Sequence, residues 1–513
     1  MPMVTTPGTP LLQMRGITTR FPGVVANDNV DFEVRAGEVH ALLGENGAGK
    51  STLMRVLFGL QKAASGEVLL DGQPLRVRSP SDAIAAGIGM IHQHFMLVPT
   101  LTVAENVALG QGSNPFGAVG LKAIAERLAE LSAEYELGVH PHAKVWQLSV
   151  GERQRVEILK AVFHETRLLV LDEPTAVLTP QEVDQLLATL RRMADAGRGL
   201  VFISHKLHEV MAFADRITVM RDGVVTGEVR PERTSRQELA DLMVGRPVKL
   251  VPDRTDRAPA DVMLAVRGLT VMGDRAQTSV DDLSLNVRAG EVLGIAGVSG
   301  NGQRELAEAI AGLRPPTAGI ITIGGEEIDG SSPRHVRASG LAYVPEERMR
   351  DGAIASFAVW ENLMLLDHGR RPFARRGMLR RGAIRQHAER LVGEFAVRTP
   401  GLDTPTRNLS GGNIQKLIMA REVTSARRVL LASQPTRGVD IGAAEYIHAR
   451  LMAARDAGLA VLVISEDLDE VLALSDRVAV MLAGQIVGTL DRHACTTRRL
   501  GMMMAGAGDP GPS

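Results

Sequence analysis

The stretch Gly44-Glu45-Asn46-Gly47-Ala48-Gly49-Lys50-Ser51-Thr52 closes an apolar run at residues 39–43 and opens a helix-compatible segment at residues 53–60. It reads as a phosphate-binding loop. Gly44, Gly47 and Gly49 let the backbone wrap with its N–H groups pointing inward, Lys50 reaches the β- and γ-phosphates, and Ser51 offers a hydroxyl to Mg²⁺. The helix behind the loop adds the positive end of its dipole. A strand before and a helix after are what this mechanism requires, and the hydrophobic pattern supplies both.

Moving outward, the same layout recurs. Ala36-Gly37-Glu38-Val39 returns as Ala289-Gly290-Glu291-Val292, and Gly44 returns as Gly297 in Gly297-Val298-Ser299-Gly300-Asn301-Gly302-Gln303-Arg304, an offset of 253 residues (297 minus 44). Leu148-Ser149-Val150-Gly151-Glu152 corresponds to Leu409-Ser410-Gly411-Gly412-Asn413, and Asp172-Glu173-Pro174-Thr175 to Ser433-Gln434-Pro435-Thr436, an offset of 261 residues (433 minus 172). The second copy therefore carries eight extra residues between residues 346 and 409 (261 minus 253). Repetition at this scale means one architecture used twice.

Each half alternates apolar β-type runs with helical patterns, which predicts α/β units around a largely parallel sheet. The clearest buried strands of the first half are residues 168–171 and 200–203, with helices at 181–194 and 206–214. Amphipathic segments at 121–137 and 383–395 predict a smaller helical subdomain inserted in each half. The expected division is 11–246 for the first domain, 247–262 for a proline-bearing linker, 263–505 for the second domain and 506–513 for a flexible tail.

Asp172 and Glu173 end the run 168–171, at the carboxyl edge of a buried strand where α/β sheets bind ligands. Asp172 suits a metal held through water, and Glu173 suits polarising an attacking water. His205 follows the strand 200–203, within reach of a γ-phosphate. Gln93 follows the apolar run 88–91, where an amide senses both metal and attacking water; its neighbours His92 and His94 read as structural.

Composition excludes several function classes. Lysine plus arginine (58) balances aspartate plus glutamate (59), so no global charge points to nucleic acid. With Cys495 the only cysteine, neither an intrachain disulfide nor a cysteine zinc site is available, and its simplest role is a small apolar filler. No run reaches the roughly eighteen apolar residues of a membrane helix, and residues 1–10 lack a signal-peptide layout. The expectation is a cytosolic chain with no direct membrane insertion, whose membrane role comes through partners.

Together these features resemble the nucleotide-binding subunit of ATP-binding-cassette transporters over almost the whole chain. The resemblance implies an α/β fold of two tandem P-loop cassettes, each a mainly parallel sheet core with an inserted helical subdomain, hydrolysing ATP with Mg²⁺. Gln93 matches the Q-loop, Glu173 the catalytic base, His205 the switch histidine, and Ser51, Gln93 and Asp172 the metal-binding set. Phe21, 23 residues before Gly44, matches the aromatic that stacks on adenine; a core phenylalanine is the competing reading.

In this family two cassettes pair head to tail, so each ATP lies between one loop and the other cassette's signature. One implied site joins residues 44–52, Asp172, Glu173 and His205 with the signature residues Ser410, Gly411, Gly412 and Asn413 and with Asp440. The other departs throughout: Gln303 and Arg304 replace lysine and serine, and Ser433 and Gln434 the carboxylates. Glu466 replaces the histidine, Glu346 the glutamine, Asp274 the aromatic and Thr179 the opposing aspartate, while Val150 occupies the facing signature's first glycine position. One competent and one degenerate site follow, with turnover depending on Glu173 alone.

The tandem layout resembles the ATPase of importers for simple sugars and nucleosides. The stretch Met90-Ile91-His92-Gln93-His94-Phe95-Met96-Leu97-Val98-Pro99 leans toward the nucleoside branch, which works with a basic-membrane-protein-like binding lipoprotein. The implied partners are transmembrane permease subunits, with the substrate-binding lipoprotein reached indirectly. The implied location is peripheral, on the cytoplasmic side of the membrane. Soluble ribosome-associated tandem cassettes are the rival class, but they keep both sites intact and carry a long charged helical linker.

Overall fold

A computed structural model describes residues 10–92, 95–109, 118–175, 178, 180–204, 206–255, 260–328, 330 and 332–506. Gln93, His94, Thr179, His205 and the tail beyond residue 506 lie outside them. The chain forms two compact units, Met1–Val248 and Lys249–Ser513.

In the first unit a six-stranded sheet has the order Val224–Val229, Arg216–Arg221, Val39–Gly44, Gly199–Ile203, Leu168–Asp172, Ile88–Ile91. All neighbours are parallel except the outermost pair, Val224–Val229 with Arg216–Arg221. Val39–Gly44 and Gly199–Ile203 are buried along their whole length, as expected of strands covered on both faces. The helix that follows the loop spans Lys50–Leu57, three residues earlier than the pattern at 53–60 indicated. Gly49 sits at φ 100 immediately before it, so Lys50, Ser51 and Thr52 form its first turn.

A second sheet was not legible in the sequence. Val24–Arg35, Pro10–Phe21, Ser65–Leu70 and Gln73–Pro74 form a four-stranded antiparallel sheet. Register shifts between Met14 and Ile17 and again near Thr19 break the two-residue alternation that identifies a half-buried strand. Leu12, Met14, Val34, Leu53, Leu57 and Ile88 share one core, which fixes this sheet, the loop helix and the main sheet together.

The second unit repeats the design. Its six-stranded sheet runs Leu341–Val344, Val429–Ser433, Ala460–Ser465, Val292–Ala296, Arg477–Leu482, Gln485–Asp491, and its antiparallel sheet runs Thr278–Arg288, Val262–Met272, Ala318–Ile323, Glu326–Glu327. Helices Val103–Ala108, Ala118–Glu134 and Val150–Phe163 pack as a subdomain in the first unit. Helices Val359–Met364, Arg381–Glu394 and Gly411–Ser425 do so in the second, with Val359, Leu363, Ala388, Leu391 and Leu417 in one core. The extra residues of the second half include a small hairpin, Ala374–Arg375 with Met378–Leu379. At the C-terminus, helix Thr497–Met504 buries Met503 and Met504.

A candidate ATP site and its degenerate twin

The loop of the first unit is held by its glycines and by a neighbouring strand. A Cβ on Gly49 would lie 2.3 Å from the Ala26 carbonyl oxygen and 2.6 Å from Asn27 Nδ2, so only glycine fits. Buried Asn27 donates from Nδ2 to the Gly49 carbonyl at 3.1 Å. Sequence reasoning passed over Asn27 because one asparagine in a strand carries no pattern. Lys50 is buried and donates from Nζ to the carbonyls of Gly44, at 2.6 Å, and Glu45, at 3.0 Å. Burial draws its pKa down, opposed by the carboxylates of Glu173, Asp172 and Glu45.

Sheet order brings the carboxylates to this loop. Gly199–Ile203 separates Val39–Gly44 from Leu168–Asp172, so the loop and Asp172 emerge at the same edge one strand apart. Ser51 Oγ donates to Asp172 Oδ2 at 3.4 Å, and burial followed by the Glu173 charge raises the Asp172 pKa. Glu173 adopts φ 51 and its N–H bonds the Ile203 carbonyl at 2.9 Å. That left-handed turn, rare for a residue with a long side chain, is the strain often found where a side chain must be aimed. Among the described residues no cluster of three His, Cys, Asp or Glu side chains is arranged for a metal. Ser51 and Asp172 together fit a Mg²⁺ ion that takes its other ligands from phosphate and water.

Of the other residues that the sequence singled out, Phe21 ends its strand opposite Val24 and is 43% exposed, which removes the core reading. His92 packs edge-on against Phe58, and burial lowers its pKa, in keeping with a structural role. Cys495 is half-buried and its thiol donates to the Asp491 carbonyl at 3.3 Å.

In the second unit the loop backbone survives but its chemistry does not. Gly302 sits at φ 98, the counterpart of Gly49. Gln303 Nε2 donates to the Val298 carbonyl at 2.9 Å where a lysine would stand. Arg304 bonds Glu308 at 2.7 Å and lies 3.6 Å from Asp274; Arg314 bonds both Asp274 and Glu308 at 2.7 Å. A closed charge network thus ties the metal-hydroxyl position to the adenine-stacking position. Ser433 and Gln434 are buried, and Gln434 keeps the left-handed φ of 49. Glu346 forms an ion pair with Arg437.

The two signature segments also differ. Ser149 and Glu152 form a reciprocal capping box: the Glu152 N–H donates to Ser149 Oγ at 3.2 Å, and the Ser149 N–H to Glu152 Oε2 at 2.7 Å. That backbone bond holds the Glu152 carboxyl below its usual pKa, leaving an anion beside the helix start. In the second unit Ser410 makes no side-chain cap to its helix, and Asn413 Nδ2 donates to Ser410 Oγ at 2.8 Å. Arg348, which the sequence did not single out, lies against this segment. Its Nη1 is buried without a hydrogen-bond partner, 2.9 Å from where a Cβ on Gly411 would stand. Its Nη2 donates to the carbonyls of Arg437, at 2.6 Å, and Gly438, at 3.2 Å. Phe95 occupies the corresponding position in the first half (348 minus 253).

Comparison with known proteins agrees with this geometry. The ABC transporter family model matches residues 27–176 and again 280–437. The chain is 46% identical to the glucose import ATP-binding protein TsgD13 of Haloferax volcanii, with 98% of this chain and 96% of that protein covered. It is 45% identical to the guanosine import ATP-binding protein NupO of Bacillus subtilis, with 97% and 98% covered. The same identity and coverage hold for the nucleoside import ATP-binding protein NupA of Lactococcus lactis subsp. cremoris. Among solved structures, archaeal aABCE1, a ribosome recycling factor crystallised with the stalk protein aP1, shares the fold at a TM-score of 0.63 and 19% identity, covering 96% of this chain and 92% of that one. Two family matches in one chain, each spanning a phosphate loop and its carboxylate position, make this protein an ATPase of the ATP-binding-cassette transporter family with its two cassettes in tandem.

Proposed function

We propose that this chain is the ATP-hydrolysing subunit of an importer that takes up nucleosides through a separate transmembrane permease. A single composite site does the hydrolysis. It joins Lys50, Ser51, Asp172, Glu173, Gln93 and His205 of the first cassette with Ser410, Gly411, Gly412 and Asn413 of the second, and Phe21 stacks on the base. Mg²⁺, when bound, neutralises charge on the β- and γ-phosphates. Lys50 and the loop N–H groups orient the phosphates, Ser51 and Asp172 hold the metal position, and Glu173 accepts the proton of the attacking water.

The observation that carries this reading is the distribution of the losses. Within the second cassette Gln303, Arg304, Ser433 and Gln434 stand where the first keeps Lys50, Ser51, Asp172 and Glu173, and the family's head-to-tail pairing would assign the capped Ser149–Glu152 signature to the same degenerate site. Independent drift would scatter such losses over both. The chain works peripherally on the cytoplasmic face, meets a binding lipoprotein only through the permease, and needs no nucleic acid.

A second reading, uptake of ribose-like sugars, draws on 44% identity to the ribose import ATP-binding protein RbsA 1 of Rubrobacter xylanophilus, covering 97% of this chain. The test is uptake of labelled nucleosides, ribose and glucose in cells with and without the chain, with Glu173→Gln as control. Selective loss of nucleoside uptake is expected. Selective loss of sugar uptake moves the solute to the second reading, and no change in any solute overturns both.

A further inference from the structure

The eight extra residues of the second half contribute to a surface that ATP hydrolysis does not use. Residues 369–385 contain seven arginines and no acidic residue. Residues 109–117, before the matching helix of the first half, contain no charged residue at all. The basic surface is therefore a property of this insertion rather than of the cassette fold.

The hairpin presents these charges in a fixed geometry. Arg376 at φ 51 and Gly377 at φ 79 make the tight two-residue turn that joins Ala374–Arg375 to Met378–Leu379. Phe373 packs at a tilt against His387 with ring centroids 4.8 Å apart, and the Arg380 N–H bonds the Phe373 carbonyl at 2.8 Å, so the hairpin is pinned to helix Arg381–Glu394. Arg370 pairs with Asp367 and Arg385 with Asp403. Among the described residues no ion pair engages Arg371, Arg375, Arg376, Arg380 or Arg381, which are all exposed. At the tip, Met378 is 73% exposed and Leu379 is 52% exposed.

We propose that this hairpin binds an anionic phospholipid surface, with the arginines on headgroup phosphates and Met378 and Leu379 entering the interface. Charge complementarity favours this occupant: five unpaired guanidiniums suit closely spaced phosphates, and two bare apolar side chains amid them suit the headgroup–acyl boundary. A folded acidic partner would leave Met378 and Leu379 without a reason to be bare at the tip. The surface is independent of which solute is carried and of how the two ATP sites divide their work.

The test is co-sedimentation of the full-length protein with vesicles of phosphatidylcholine alone or mixed with phosphatidylglycerol, at low and high salt, without permease. Binding to the anionic vesicles only, weakening as salt rises, is expected. An arginine near an anionic surface contributes about fivefold in partition. The triple variant Arg375→Gln, Arg376→Gln, Arg380→Gln should therefore lower partition about 100-fold while ATP turnover in solution stays at the parent rate. Met378→Ser with Leu379→Ser should lower it further at constant charge. Absence of binding by the active parent protein, equal binding to neutral vesicles, or a triple variant that binds like the parent overturns the assignment. Any of these would point instead to a permease loop as the hairpin's partner.

Discussion

Asn413 donates from Nδ2 to Ser410 Oγ at 2.8 Å, whereas the equivalent Glu152 accepts the Ser149 N–H and leaves Ser149 Oγ to cap its own helix. One serine is committed to the fold and the other is held by a neutral amide. The same substitution should therefore read differently in the two halves. Ser410→Ala should cut ATP turnover by about 10²-fold or more, the scale for losing one preorganised donor at a site of developing charge. Ser149→Ala should leave turnover near the parent value and cost about 1 kcal/mol in unfolding free energy, the scale for a lost N-cap. Steady-state turnover and denaturant unfolding of the two variants check this. Equal loss of turnover in both would refute the unequal assignment.

Glu173 and Gln434 share the same left-handed backbone, at φ 51 and φ 49, after equivalent strands. Backbone geometry therefore does not distinguish them, and the carboxylate does. Glu173→Gln should reduce hydrolysis by about 10²–10⁴-fold, as expected for a general base. Gln434→Glu should restore nothing, because Gln303 and the Arg304–Asp274–Arg314 network remain. Single-turnover assays on both variants are decisive, and substantial residual hydrolysis in Glu173→Gln would mean a second working site.

Arg348 joins three motifs of the second cassette through one guanidinium, bonding the Arg437 and Gly438 carbonyls and lying against Gly411. Both bonds come from Nη2, at the far end of a side chain longer than a lysine's. Arg348→Ala should lower kcat about tenfold with little change in ATP affinity, since the loop that binds the phosphates is elsewhere. Arg348→Lys should fail to rescue it. A merely structural role would instead lower unfolding stability and leave the kcat of the folded fraction unchanged.

Much of this site was legible because it is written in residue types that chemistry restricts. The loop glycines and Lys50 lie between a strand end and a helix start, Asp172 and Glu173 at another strand end, both marked clearly by apolar runs, and the internal repeat located their altered counterparts. The antiparallel sheet was missed because its bulges near Met14, Ile17 and Thr19 destroy the alternation that signals a strand. Arg348, Asn27 and the Asp274–Arg314 pair were missed for another reason. Each acts through a partner distant in sequence, 40 residues away for Asp274 and Arg314, and no local spacing announces such a contact.

His40 lies on the strand that leads into the phosphate loop, fully buried, with Nδ1 2.7 Å from the Glu33 carbonyl oxygen and Nε2 2.7 Å from Thr218 Oγ1. Burial, reinforced by the Arg216 charge, lowers its pKa to about 3. The ordinary histidine value is about 6.5, so between about pH 6.5 and 3 the unfolded chain binds a proton that the folded chain does not. Stability must rise with pH across that window and fall as pH drops through it, by up to about 4–5 kcal/mol at the acid end. The second cassette has Leu293 at the corresponding position (40 plus 253), so its loop strand carries no such liability. His40→Leu should flatten the pH dependence of unfolding free energy between pH 6.5 and 4. It should do so even though the unpaired Thr218 hydroxyl costs about 1–3 kcal/mol at neutral pH; the Glu33 carbonyl keeps its bond from Arg216 Nη2 at 3.0 Å. Denaturant titrations at several pH values check this, and an unchanged slope would mean that other groups set the acid limit of the first cassette.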